Sequence, residues 1–143
     1  MSQSADIRVL PVADELIYAM WPHLVPWLVK GLAAAKTSTL HEIEVGLSQG
    51  TDRLWCVFQD ENLVGAFVTA VYRDGGDYLG VYALGGTGLK SWAGAIDQAM
   101  QTEARRLSLD RIRFAGRQAW SRVLPGLAHR GKIMGHEIWE RAV

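Results

Sequence analysis

Residues 78–107, YLGVYALGGTGLKSWAGAIDQAMQTEARRL, hold the pattern that decides the fold. Tyr78 to Leu84 reads as a strand, and Gly85-Gly86-Thr87-Gly88 as a glycine-rich turn. From Gly88 to Leu107 the apolar residues Leu89, Trp92, Ala93, Ile96, Ala99, Met100, Ala104 and Leu107 keep helical spacing. Arg105 and Arg106 suit the negative end of that helix. Glycines let a backbone approach a ligand closely. A helix start offers unpaired N–H groups and partial positive charge. Strand, glycine turn and helix start together form a phosphate-binding arrangement, although many such turns only join two elements. The turn is not a Walker A loop, because no Gly-Lys-Ser/Thr follows. Nor is it a dinucleotide fingerprint, since Ser91 stands where a third glycine would fall.

On the N-terminal side, Asp6 to Val12 alternates and reads as a strand. Leu16, Ile17, Met20, Leu24, Val25, Leu28 and Leu32 follow helical spacing. Pro22 and Pro26 interrupt it, which predicts a short helix ending near Trp21 and a second starting near Pro26. Thr39 and Glu42 match a capping box before Leu40, Ile43 and Leu47, with Gly50 as the stop. Arg53 to Gln59 and Leu63 to Arg73 read as strands joined by Asp60-Glu61-Asn62. With Tyr78–Leu84, reached through Asp74–Asp77, they make an antiparallel meander.

On the C-terminal side, Asp110 to Ala115 is a short strand, and a strand–helix–strand order implies a parallel crossover. Gln118 to Leu124 reads as a short helix, His129-Arg130-Gly131-Lys132 as a solvated basic turn, and Met134 to Arg141 as a last strand. The order is β-α-α-β-β-β-α-β-α-β. That is an α+β fold with a mixed sheet flanked by helices, expected as one domain over residues 1–143.

Composition bounds the function. The 143 residues are 49% apolar and 21% charged, as in ordinary globular domains. One cysteine excludes an internal disulfide framework and a Cys-rich zinc site. His23, His41, His129 and His136 show no metal spacing. No apolar run approaches the roughly 18–20 residues of a membrane helix, and MSQSADIRVL lacks the pattern of a secretory signal. A cytoplasmic protein with no membrane partner is expected. Residues 1–104 carry six Lys/Arg against twelve Asp/Glu; residues 105–143 carry nine against three. The basic third could face a phosphate-bearing ligand or an acidic partner, or neutralise the rest of the fold. Nucleic acid has no motif to support it.

The whole order resembles the GNAT N-acetyltransferase superfamily. The resemblance implies an N-acyltransferase that moves an acetyl group from acetyl-CoA to an amine of unknown identity. It implies a splay between Tyr78–Leu84 and Asp110–Ala115 for the pantetheine arm. It also implies that Gly86-Thr87-Gly88 stands at the pyrophosphate turn. Cofactor contacts are expected from Leu84, Gly85, Gly86, Thr87, Gly88, Leu89 and Lys90, with Arg117 or Arg122 reaching a phosphate. The chain departs from the motif at Gly85, where the family has Arg or Gln, and at Lys90, where it has a small residue. No tyrosine follows Tyr82, and Tyr78–Leu84 holds no carboxylate. An active enzyme would then use water, a tyrosine such as Tyr82, or the substrate's own groups for proton transfer; Tyr78 or Tyr82 contacts the thioester or acceptor, or packs, and Glu42 and Glu44 are either bases over the acceptor cleft or a solvated helix face. Cys56 reads as core.

A narrower likeness lies in residues 116–126, GRQAWSRVLPG, which are similar to a segment of small GNAT-like proteins of bacteriophages and prophages. It implies an alternative: a non-catalytic, virion-associated structural protein whose partners are virion proteins or further copies of itself. Trp21 and Trp27, beside the prolines, would then form an exposed docking patch.

Overall fold

In a computed structural model, residues 6–35, 39–73, 76–115, 124, 127–133 and 136–143 are described. The elements run β1 (Ile7–Pro11), α1 (Asp14–Ala35), α2 (Leu40–Gln49), β2 (Asp52–Gln59), β3 (Asn62–Tyr72), β4 (Tyr78–Gly86), α3 (Leu89–Arg106), β5 (Arg111–Ala115), β6 (Ala128–Ile133) and β7 (His136–Ala142). The strands form one sheet in the order β1-β2-β3-β4-β5-β7-β6. Every neighbouring pair is antiparallel except β4 and β5, which the α3 crossover leaves parallel. The mixed α+β sheet flanked by helices is the expected class.

Alternation along the strands builds two cores, one per face. Trp55, Phe67, Leu79, Val81, Ile112 and Phe114 pack with Trp92, Ile96 and Met100 of α3. Leu54, Cys56, Ala66, Val68 and Tyr82 point the other way, with Leu24 and Leu28 of α1 and Ile43 of α2. Cys56 is buried in this second core, as a small apolar residue. Burial raises its thiol pKa.

Three expectations are corrected. First, α1 is one helix of 22 residues with both prolines inside it. Leu24, Leu28 and Leu32 recur every four residues and are buried, while Pro22 and Pro26 fall on the exposed opposite side. A proline cannot donate to the carbonyl four residues back. Here the freed carbonyls face water, and apolar burial on the inner side outweighs the local break. Trp21 and Trp27 also turn inward, half-buried against that core, so they form no exposed patch.

Second, the His129–Lys132 segment is strand, not turn. It pairs with β7 through a register shift between His129 and Lys132, where Gly131 takes a φ of 88°. The turn-like glycine is a bulge, so the sheet has a seventh strand. Third, β4 runs on through Gly86, pairing Gly85 and Gly86 with Ala66 and Gly65. The capping box, in contrast, forms as expected: Thr39 caps α2 by accepting from the Glu42 N–H at 3.2 Å, and Gly50 ends it at φ 76°. The expected helix 118–124, with Arg117, Trp120 and Arg122, lies outside the described residues apart from Leu124, which is buried.

If α1 carries its prolines only because the inner face is packed, replacing them relieves a local cost. Pro22→Ala with Pro26→Ala should stabilise the fold by about 1–3 kcal/mol after the gain in unfolded-chain freedom is subtracted. Chemical denaturation measures this. A less stable double variant would show that the breaks are needed.

Candidate active site

The site begins where two strands part. β4 and β5 pair at Leu79–Ile112, Gly80–Arg113 and Val81–Phe114, and no rung follows among the described residues. Beyond Val81, β4 continues for five residues alongside β3 alone. Its pairing with β3 shifts there, because Tyr82 faces Val68 while Gly85 faces Ala66. The extra residue makes a bulge, and buried Ala83 takes a left-handed φ of 55°. That backbone costs a non-glycine residue about 1–3 kcal/mol and turns β4 away from β5.

Helix α1 sits on this bulge. A Cβ on Gly85 would collide with the carbonyl of Trp27, and one on Gly31 with the backbone of Ala83 and Leu84. Two glycines thus bring helix and strand into backbone contact. This explains why position 85 holds glycine and not a long polar residue.

Gly86 leads into the turn, where a Cβ would meet the Val64 carbonyl at 2.5 Å and the Trp92 ring at 2.7 Å. The Thr87 N–H donates to the Val64 carbonyl at 2.9 Å, and the Trp92 indole N–H donates to the Thr87 carbonyl at 2.7 Å. Gly88, at φ 73°, caps α3 without a side chain over the helix start. The first turn holds no acidic residue, and exposed Lys90 adds positive charge. Leu89 packs inward against the α3 core. The opening therefore gathers Leu84, Gly85, Gly86, Thr87, Gly88, Leu89 and Lys90 along one continuous backbone. An uncapped helix start beside tightly fitted glycines suits a pyrophosphate.

Tyr82 is the first β4 residue past the last rung. Its hydroxyl donates to the Asp52 carboxylate, which also accepts from the Thr51 hydroxyl at 3.1 Å. Asp52 starts β2, two strands from β4 and on the side away from β5. The phenol is thus drawn under α1 and α2, away from the opening. Burial and the Asp52 carboxylate push the Tyr82 pKa far above that of a free phenol. Tyr82 is a neutral hydroxyl there. Glu42 and Glu44 lie exposed on α2.

On the same sheet face as Tyr82, an ionic network crosses β5, β7 and β6. Arg113 Nε donates to Glu140 at 2.6 Å, and Arg130 Nε donates to its other oxygen at 3.2 Å. Arg111 stands 3.8 Å from Glu140. Arg113 also lies over the Tyr78 ring, 4.2 Å from its centre. Burial alone would raise Glu140, but the three guanidiniums, Arg113 foremost, hold its carboxyl below the usual range. Sequence reasoning missed Asp52 and this network. Alternation in DRIRFA and HEIWER puts Arg113 and Glu140 on defined strand faces, but only the register joins them.

This architecture is shared with solved structures. An N-acetyltransferase from Staphylococcus aureus Mu50 superposes with a TM-score of 0.65 at 13% identity, over 96% of this chain and 98% of that one. FeeM, an N-acyl amino acid synthase from uncultured soil microbes, does so with 0.64 at 12%, over 97% and 91%. The PaiA N-acetyltransferase of Thermoplasma acidophilum, solved with coenzyme A, gives 0.59 at 12%, over 96% and 99%. The chain has the GNAT fold. No family model and no curated protein matches the sequence. The GNAT likeness thus shows in backbone order and geometry.

Because Glu140 is charged and buried, its network sets an acid limit on stability. A lowered folded pKa means that its contribution is present above the usual carboxylate range. It is lost as pH falls through the lowered value. Glu140→Gln should cost about 3 kcal/mol at pH 7, by leaving Arg113 under-compensated. The wild-type and variant curves should converge at strongly acid pH. A difference independent of pH would contradict this account of Glu140.

Proposed function

We propose that this protein is an N-acyltransferase that carries an acetyl group from acetyl-CoA to an amine. One observation carries the reading: β4 and β5 part after Val81, and the five further residues of β4 lead into the glycine turn and uncapped helix start. What acetyl-CoA supplies is an acyl group activated as a thioester. The chain's own residues bind and orient. The turn Gly86–Gly88 and the first turn of α3 hold the pyrophosphate, with Lys90 and one of Arg117 and Arg122 beside it. A β4 main-chain N–H past Val81, left without a β5 partner, polarises the acyl carbonyl. The Gly31–Gly85 contact keeps that strand in place.

In the transfer, a neutral amine nitrogen bonds to the acyl carbon and the carbon–sulfur bond breaks. The amine proton passes to water, and the thiolate gains a proton. Positioning supplies most of the rate. Tyr82, neutral and bound to Asp52, is a hydrogen-bonding wall on the acceptor side. General acid–base groups contribute about 10²–10⁴-fold, so a site relying on water is slow but active. The alternative of a virion scaffold rests on residues 116–126 alone. Its other support was an exposed Trp21–Trp27 patch, and those rings are packed inward.

Calorimetric titration should show acetyl-CoA and CoA binding. Gly88→Asp should abolish binding by adding a negative charge and strain at a positive φ, with little loss of fold. No heat and no thermal shift at millimolar ligand would overturn the reading.

A further inference from the structure

Arg111, Arg113 and Arg130 of the basic C-terminal third have a place in the fold that phosphate binding at the α3 start does not use. On the face that carries Tyr82, α1 covers β3 and β4, and α2 covers β2. Among the described residues no helix covers β5, β7 and β6 on this face. Their side chains here include Arg111, Arg113 and Ala115 of β5, Glu140 and the buried Ile138 of β7, and Arg130 of β6. The last β4–β5 rung is Val81–Phe114, and Phe114 pairs with Trp139, which pairs with His129. Arg130 thus lies within a residue or two of the level where the strands part. It is two strand spacings from β5, about 10 Å.

Glu140 is one carboxylate among three guanidiniums. Arg113 is mostly buried and satisfies one of its oxygens; its side chain is 17% exposed. Arg130 meets the other oxygen through Nε only, and its side chain is 55% exposed. This contact anchors the guanidinium along one edge. Among the described residues its two Nη groups make no hydrogen bond, which leaves a planar fork, the geometry that matches a carboxylate. The Glu140 charge is taken up by Arg113 on the buried side, so the open side stays positive.

We propose that the acceptor amine belongs to a small molecule that also carries a carboxylate, and that Arg130 receives this carboxylate. Glu140 is the positioning residue that holds Arg130. This rests on the acyl-transfer reading and names its substrate class. The carboxylate on the Arg130 fork directs the amine back across β7 and β5 toward the opening. The bond changes are those of the transfer itself; Arg130 neither gives nor takes a proton.

The test follows thiol release from acetyl-CoA with each of the twenty amino acids, their decarboxylated amines, and O-phosphoethanolamine. At least one amino acid should be acetylated with a KM about tenfold or more below that of its decarboxylated amine, the size of one charge-assisted interaction. Arg130→Ala should raise the KM for that amino acid by a similar factor and leave kcat within about twofold. It should leave the decarboxylated amine unchanged. Arg130→Lys should recover only part of the loss, since it keeps charge without the fork. Arg130→Gln, which can still donate to Glu140, replaces the alanine variant if that one melts early. Equal use of the amines, equal effects of Arg130→Ala on both, or preference for O-phosphoethanolamine over every amino acid would overturn the proposal. If no acceptor turns over, acyl transfer fails, and titration with the N-acetylated amino acids decides the anion site separately. Binding that Arg130→Ala abolishes supports it; no binding overturns it.

Discussion

The rest of the structure depends on the loss of hydrogen bonding between β4 and β5 after Val81 and Phe114. A parallel pair that continued would close the sheet and leave the turn at Thr87–Gly88 as a connector. The bulge at Ala83 prevents it, and a buried alanine does not adopt a left-handed backbone without compensation. The compensation is α1, seated on Ala83, Leu84 and Gly85 through Gly31 and the Trp27 carbonyl. That helix is held in turn by Leu24, Leu28 and Leu32 against the sheet. Packing on one face of the sheet thereby holds the two strands apart.

The two faces divide the chemistry. On the α3 face lie the glycines, a helix start without a side-chain cap and exposed Lys90, the kind of donors and charge that suit an anion. On the face of α1 and α2, Tyr82 and Asp52 are joined beneath the helices on the β3 side, and the arginines around Glu140 lie on the β5 side. Neither side offers an obvious strong base near the opening among the described residues. The geometry favours binding and alignment over proton transfer by a dedicated side chain.

Much of the fold was legible in the sequence because local signals agreed with burial. The α3 stripe, the Thr39–Glu42 box and the meander all formed where spacing placed them. Signals failed where tertiary contacts overrode them. Pro22 and Pro26 read as breaks because propensity does not see which helix side meets water. Gly131 read as a turn because a bulge and a turn use the same residue. Gly85 read as a departure from a motif, and the reason was a helix backbone 54 residues earlier in the chain, at Gly31. The glycine turn and the helix start after it were legible as a contiguous string. The Tyr82–Asp52 bond and the ionic network join residues 30 and 27 positions apart, with no spacing rule to announce them.

The most direct measurement of the central claim is amide hydrogen exchange with and without CoA. Bound CoA should slow exchange at Leu84–Ser91 and at Ala115, on both sides of the parting strands. No change is expected at the surface cleft of about 470 Å³ lined by Pro11, Asp14, Ile17 and Leu47 on the β1–β2 side of the sheet. Protection confined to that cleft, or absent from Leu84–Ser91 under saturating CoA, would contradict the central claim.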